Sequence, residues 1–84
     1  MLIRSQDKER IMDYIRASVG IDHEVSEDNS IWISIVYSEN ACGLLGKYSS
    51  ERKALKVLDM IQEAYVNGHI DYQMPDDSEV ELNE

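Results

Sequence analysis

The chain has a single cysteine, Cys42, and only two histidines. One cysteine cannot form a disulfide within the chain, and no Cys/His cluster has the spacing of a zinc site. In its apolar segment this cysteine is expected to be a small buried hydrophobe. His23 and His69 lie far apart, and no Ser/His/Asp or Cys/His order indicates nucleophilic catalysis. The sequence therefore predicts no metal, no cofactor and no enzymatic activity.

Basic residues are also scarce, since 8 Lys and Arg stand against 17 Asp and Glu, a formal net charge of −9. Residues 71–84 carry six acids and no base, which leaves eleven acids and eight bases in the first seventy residues. So acidic a chain disfavours binding to duplex DNA, which needs basic side chains to neutralise phosphates. An acidic segment is usually just solvated. Its alternative role is to mimic nucleic acid toward a basic partner.

The chain has no apolar run long enough to cross a membrane. Its first three residues are followed at once by Arg4, which does not fit a signal peptide, so we expect a cytosolic protein. One proline, four glycines and a hydrophobic fraction of 43% are typical of a globular chain. Its 84 residues suffice for one small domain, in which an oligomer or partner often supplies additional stability.

Short apolar runs separated by turn residues predict several β-strands. Residues 2–5 form one such run, and residues 15–21 alternate between apolar and small or polar side chains. The strongest strand is predicted at residues 30–38, which carry large apolar groups on both faces, and another at residues 41–49. Residues 9–13 fit either a short strand or one helical turn. The short connections between these runs favour an antiparallel meander.

Two further features concern the connections. Residues 23–30 are polar and predict an exposed loop, and residues 38–40 predict a tight turn. Gly43 and Gly46 weaken the strand that contains them, and they indicate a β-bulge or a close backbone approach.

A long helix is predicted to begin at Glu51, with the hydroxyl of Ser49 or Ser50 as its N-terminal cap. Asn67 and Gly68 predict its end, since glycine suits the left-handed residue after a last turn. Apolar residues at steps of three and four form a stripe for packing on a sheet. The stripe contains Ala54, Leu55, Val57, Leu58, Ile61, Ala64 and Tyr65.

These elements together predict an α+β fold: a small antiparallel β-meander of four to five strands with one long helix packed on one face. Residues 70–75 add a possible short edge strand, because Pro75 cannot lie in a central ladder. Residues 1–74 are expected to form a single domain, and residues 75–84 an acidic, flexible tail.

The start of the helix carries a set of bases where the helix dipole favours anions. Lys47 comes just before it, and Arg52 and Lys53 just after it. With the hydroxyls of Ser49 and Ser50 and the free N–H groups of the first turn, they predict a site for a phosphate or other anion. The alternative is that the bases are solvated and paired with acids of the same helix, for instance Lys56 with Asp59 or Glu63. The pattern is not a Walker loop, which needs more glycines.

Aromatic residues are a second candidate surface. Most of them belong in the core, but any left on the outer face of the sheet would form an interface or a stacking platform. We expect Trp32, Tyr37 and Tyr72 to be such interface residues. Trp32 is the first choice, because it alternates away from Ile31 and Ile33. Pairing of two copies would bury it in a homo-oligomer.

Three blocks, MLIRSQDK, LGKYSSERKALKVLDMIQEAY and QMPDDSEVE, resemble a family of short, uncharacterised proteins. These are carried by phages, prophages and mobile elements of Gram-positive bacteria. The resemblance covers less than half of the chain, and residues 13–41 carry no matching motif. It brings no catalytic residues with it. It implies an accessory role in the contest between phage and host, in the host bacterial cytosol.

The anion site and the resemblance together predict a non-enzymatic anti-defence protein that sequesters an anionic nucleotide immune signal, as a homo-oligomer. Cyclic and ADP-ribose-type nucleotides are the class implied. One alternative is a direct protein inhibitor of a host defence complex, in which carboxylates stand in for nucleic-acid phosphates, as in anti-CRISPR proteins. Another is a small regulatory or structural homo-oligomer without a ligand.

Overall fold

The computed structural model describes residues 1–14, 17–22, 30–38 and 41–81. Within these ranges the chain forms six short strands and one long α-helix, so the α+β class is confirmed. A single 3-10 turn, Asp77–Glu79, follows the last strand. The elements are β1 (Leu2–Arg4), β2 (Ile11–Asp13), β3 (Ser18–Asp22), β4 (Ile31–Ser38), β5 (Ala41–Tyr48), α1 (Glu51–Val66) and β6 (Asp71–Gln73).

The strands form two sheets of three strands each, and not the single meander predicted. Sheet A has the order β2-β1-β6, with β1 antiparallel to β2 and parallel to β6. Sheet B has the order β3-β4-β5 and is the antiparallel meander. The parallel pair needs a long crossover connection. Here the connection contains β2, all of sheet B and the helix.

Sheet B turns its inner face toward the helix. Ile33 and Ile35 of β4 are fully buried there. The pairing shifts between Ile33–Gly46 and Ser34–Leu44, so that Leu45 is an extra, buried residue. This is the bulge that the glycines predicted. A Cβ on Gly46 would lie 3.2 Å from side-chain atoms of Gln6 and Tyr48, which explains the absence of a side chain at this position.

The helix begins and ends as predicted. Ser50 is its N-cap, and the Ser50 hydroxyl accepts a hydrogen bond from the backbone N–H of Lys53 at 3.2 Å. After the C-cap residue Asn67, Gly68 has a φ of 77°. The N–H of Gly68 donates to Tyr65 O and that of His69 to Ala64 O, which is a Schellman motif.

The buried stripe of the helix is narrower than predicted. Its buried members are Ala54, Val57, Ile61 and Ala64. Leu55 and Tyr65 were expected to pack on the sheet, but they are 47% and 56% exposed. They flank the stripe, and sheet B covers only its centre because it has three strands.

Sheet A closes the other side of the core. Ile3 is fully buried, and Met12 and Tyr72, which pair with it from the neighbouring strands, pack against the same core. The undecided residues 9–13 thus contain a strand, β2. The predicted edge strand near residue 72 is β6, which lies at the edge of its sheet.

Some predictions fall on residues outside the described ranges. The first part of the alternating segment, Ile15 and Arg16, is one of them, and β3 is described from Ser18. Residues 23–29 of the predicted loop, residues 39–40 of the predicted tight turn and residues 82–84 of the predicted tail are the others.

Residues 75–81, which belong to the predicted tail, are packed against the domain in this structure. Val80 is 4% exposed and belongs to the hydrophobic core. The sequence pattern missed this contact because a single valine among acids has no periodic apolar neighbours. Cys42 was also misplaced, since it is exposed.

Candidate functional site

The predicted anion site at the start of the helix does contain an anion, and it comes from the same chain. The backbone N–H of Ser49 donates to Asp77 Oδ1 at 2.8 Å, and the Ser49 hydroxyl donates to the same oxygen at 3.1 Å. The ammonium of Lys53 lies 3.6 Å from Asp77 Oδ2. It also donates to the backbone carbonyl of Asp77 at 2.9 Å. The predicted residues Ser49 and Lys53 therefore hold a carboxylate.

These contacts stabilise the ionised form of Asp77. The Ser49 N–H has the largest effect in lowering the pKa of the Asp77 carboxyl below its ordinary value, and the Ser49 hydroxyl and Lys53 add to it. The carboxylate also complements the positive end of the helix dipole. Bases at a helix start are unfavourable alone, and Asp77 removes the conflict.

The other bases of the set have different surroundings. Lys56, one turn further along the helix, donates to the backbone carbonyl of Glu81. In the described part of the chain, Lys56 forms neither of the two predicted ion pairs, with Asp59 or with Glu63. Arg52 is exposed on the first turn of the helix. Lys47 lies away from the site, with its ammonium 5.9 Å from the ring centre of Trp32.

Several contacts outside the helix hold the C-terminal segment in place. The carbonyl of Pro75 accepts hydrogen bonds from the hydroxyl of Tyr48 at 2.8 Å and from Gln6 Nε2 at 3.2 Å. Met74 and Val80, on either side of the 3-10 turn, are buried in the core. Burial is the main reason that the pKa of Tyr48 is raised, so this hydroxyl stays a neutral donor at physiological pH.

The carboxylates next to Asp77 remain at the surface. Asp76, Glu79 and Glu81 are exposed, and we call these three residues the acidic side. Glu79 Oε1 accepts the backbone N–H of Asp76 at 3.1 Å, which fixes the side chain of Glu79. Lys53 and Lys56 therefore contact groups of the same chain, whereas the acids beside them are exposed to solvent.

A second candidate lies between the turn after β1 and the outer face of sheet B, and we call it the Trp32 groove. It has a volume of about 420 Å³, which is within the range of small-molecule sites. Basic Arg10 and Lys47 line it, together with acidic Asp7 and Glu9 and the aromatic ring of Trp32.

Gln6 holds this groove together, and sequence reasoning missed its role. Its backbone N–H donates to Leu45 O at 2.7 Å. Its side chain accepts from Lys47 N at 2.9 Å and donates to Lys47 O at 3.0 Å. The amide thus takes the place of a strand neighbour along the free edge of β5. No local pattern marks such a glutamine, because its partner is 41 residues away.

Asp7 is the best-anchored acid of the groove. The Ser5 hydroxyl donates to Asp7 Oδ1 at 2.5 Å, and the N–H of Glu9 donates to it at 3.0 Å. The Ser5 hydroxyl is the main reason that the pKa of Asp7 is lowered. These bonds shape the turn that forms one wall of the groove.

The three predicted interface residues are in different environments. Trp32 is partly exposed on the outer face of sheet B, as predicted. Tyr37 is exposed near the end of β4. Tyr72 packs against the core, and its buried hydroxyl has no hydrogen-bond partner in the described part of the chain. Burial raises the pKa of Tyr72. Its side chain therefore offers little surface to a partner.

Over residues 1–14, 17–22, 30–38 and 41–81, no three His, Cys, Asp or Glu side chains lie close enough together to hold a metal ion. No helix in those ranges is long and apolar enough to span a membrane. Comparison with family models, with curated proteins and with solved structures finds no match.

Proposed function

We propose that this chain is a non-enzymatic binding protein whose acidic side docks on a basic surface of a partner protein. One observation carries the proposal: Lys53 contacts the carboxylate of Asp77 and Lys56 the backbone carbonyl of Glu81, whereas Asp76, Glu79 and Glu81 are exposed. This part of the surface is therefore acidic although the sequence around the helix start is basic.

Physical chemistry favours such a partner. A net charge of −9 on 84 residues repels nucleic acid and attracts basic surfaces over a distance of about one Debye length. Carboxylates on a packed segment lose less conformational freedom on docking than carboxylates on a loose tail. The anchored 3-10 turn supplies this preorganisation.

The resemblance to phage and prophage proteins suggests the setting. We propose that the partner is a nucleic-acid-binding component of a host defence complex in the bacterial cytosol, and that the acidic side competes with phosphates for its basic groove. In this view the protein is an inhibitor, and it needs no ligand or cofactor of its own.

The test uses charge-neutralising variants of the full chain, because Val80 contributes to the core and truncation would damage the fold. Purified CRISPR effector complexes from Gram-positive hosts form the panel, and displacement of labelled DNA is the readout. For any member that the protein inhibits, we expect Asp76→Asn, Glu79→Gln and Glu81→Gln together to weaken inhibition at least about tenfold. Raising the salt concentration is expected to act in the same direction.

A matched control removes the same charge elsewhere. Glu9→Gln, Asp13→Asn and Asp71→Asn together neutralise three exposed acids in and next to sheet A. We expect this triple variant to inhibit within about threefold of the original protein. Equal loss in both triples would show that only net charge matters, and it would contradict docking through the acidic side. A panel without any inhibited member would also count against the proposal.

Nucleotide sequestration remains the second candidate, and the Trp32 groove supports it better than the helix start. An aromatic ring with an ammonium 5.9 Å from its centre suits a base and a phosphate of one ligand. Asp7 and Glu9 in the same groove oppose an anion.

The only tryptophan of the chain lies in this groove, so its fluorescence reports binding there directly. Titration with cyclic dinucleotides and cyclic ADP-ribose isomers should change this emission and release heat in a calorimeter. Lys47→Glu should abolish both signals, whereas Arg52→Glu, at the helix start, should leave them intact. Unchanged emission across the panel would rule out this second candidate.

A further inference from the structure

The outer face of sheet B, which the turn after β1 borders at the Trp32 groove, carries an ordered pattern of residues. Because Ile33 and Ile35 point inward, Trp32, Ser34 and Val36 of β4 point outward. Their directly paired neighbours on β3 and β5 share this face. Val36, on the central strand, is 41% exposed, and Leu44, on the edge strand β5, is 48% exposed, so both leave apolar surface on this face.

The strand pairing arranges these residues in three rows across the sheet. The first row is Asp22, Trp32, Lys47; the second is Gly20, Ser34, Leu44; and the third is Ser18, Val36, Cys42. In the first row the β3 and β5 members differ in charge, and in the second row they differ in size. Trp32 and Val36 flank Ser34 along the central strand.

We infer that this face binds a second copy of the chain, related by a two-fold axis that runs along β4. Such an axis places β3 of one copy opposite β5 of the other and β4 opposite itself. Two sheets packed face to face in this way lie about 10 Å apart, with their strands crossing at a small angle.

The first two rows then become self-complementary. Asp22 of one copy lies opposite Lys47 of the other, so opposite charges meet on both sides of the axis. Leu44 lies opposite Gly20, where a Cβ would meet no atom within 4 Å and the surface has space for a large side chain. The two Trp32 rings meet each other at the axis.

The pattern favours a second copy over an unrelated partner. The acid and the small residue lie on β3, and the base and the large residue lie on β5, so a two-fold rotation about β4 brings each opposite its complement. The inference does not depend on the proposed function, since it uses the face of sheet B opposite to the helix. Nine outward residues make a patch smaller than a standard interface of roughly 20–30 residues per side. We therefore expect a dimer of micromolar order, driven mainly by Trp32, Val36 and Leu44.

Sedimentation of the full chain across a concentration series tests the inference. Asp22→Lys alone and Lys47→Asp alone each place like charges opposite one another twice per dimer. Each should raise the dissociation constant at least about tenfold. The double variant Asp22→Lys/Lys47→Asp restores opposite charges and should recover dimerisation. Asp71→Lys, on sheet A, makes the same charge change as Asp22→Lys and should have no effect beyond about twofold.

A neutral variant guards against effects of charge on folding. Leu44→Ser removes the side chain expected to fill the space over Gly20, and its exposure makes a folding defect improbable. It should weaken the dimer while circular dichroism stays unchanged. The emission of Trp32 should shift to shorter wavelength as the dimer forms.

Three results would overturn the inference. One is a chain that stays monomeric up to millimolar concentration. Another is a dimer that none of the single variants weakens, which would place the interface elsewhere. The third is a double charge-swap variant that folds yet does not recover, which would exclude the proposed register. A monomer whose Trp32 emission responds to nucleotides would assign this face to the ligand-binding candidate.

Discussion

Asp77 determines how the start of the helix is to be understood. The sequence shows the bases and the capping serines, but their anion lies 24 residues after Lys53. Such a distant contact is set by the path of the chain through β6, which no local pattern specifies. The sequence predicted a bound phosphate or other anionic ligand at this position, whereas the structure places the chain's own Asp77 carboxylate there.

Replacing Asp77 with Asn is expected to lower the free energy of unfolding by about 1 kcal/mol at neutral pH. Hydrogen bonds to a charged group contribute roughly 1.5–3 kcal/mol when buried, and solvent screening reduces this value at a partly exposed site. Urea denaturation measures the change. Asp59→Asn, on the exposed side of the same helix, is the control and should change stability by less than about 0.5 kcal/mol.

The effect of Asp77→Asn should depend on pH in a defined direction. The pKa of Asp77 is lowered in the folded state, so its stabilisation is present above the ordinary aspartate pKa of about 3.9. It is lost as the pH falls through the lowered folded-state pKa. The stability difference between the two proteins should therefore shrink below about pH 4. A difference that stays constant to lower pH would contradict the role of the carboxylate charge.

The helix is the element that the sequence predicts best. Ser50, Asn67 and Gly68 each act through their own local chemistry, so they can be identified without knowledge of the fold. Leu55 and Tyr65 could not be placed, because the width of the buried stripe depends on the sheet that covers it. The pairing of β1 with β6 could not be predicted either, because strands of three residues are too short to show a periodic pattern.

Gly68→Ala is expected to destabilise the protein by about 1 kcal/mol, because φ of 77° is unfavourable for a residue with a Cβ. Thermal unfolding measures the effect. Gly20→Ala is the matched control: nothing lies within 4 Å of the added Cβ, and alanine restricts the unfolded chain. We expect it to be neutral or slightly stabilising. Equal losses from both variants would contradict the conformational explanation.

The packing of residues 75–81 against the core could not be predicted from the sequence pattern. Val80→Ala should lower the free energy of unfolding by about 2 kcal/mol, through lost burial and the resulting cavity. Val66→Ala removes the same atoms from a helix residue that is 74% exposed, and it should cost less than about 0.5 kcal/mol. If both variants had the stability of the original protein, residues 75–81 would not be packed as described.

The two surfaces proposed for binding lie on different parts of the molecule. The acidic side lies beside the start of the helix, and the helix packs on the inner face of sheet B. The outer face with Trp32 is on the other side of that sheet. Dimerisation through the outer face would therefore leave both acidic sides exposed, and a dimer could engage a partner that has two basic grooves.

Net charge should also affect the stability of the molecule as a whole. With a charge of −9, repulsion among carboxylates opposes folding, whereas the described ion pairs are few and partly exposed. Moderate salt should therefore raise the melting temperature, because it screens repulsion more than it weakens these pairs. Differential scanning calorimetry across a sodium chloride series measures this. A falling melting temperature would show that ion pairs dominate.

The amide of Ser49 provides the most direct measurement of the central claim, that the start of the helix holds the chain's own carboxylate. In nitrogen-15 correlation spectra its resonance should titrate with a midpoint below the ordinary aspartate pKa of about 3.9, and Asp77→Asn should abolish this titration. At neutral pH, added inorganic phosphate should leave the resonance unmoved. A Ser49 amide resonance that does not change during the acid titration but shifts when phosphate is added would contradict this claim.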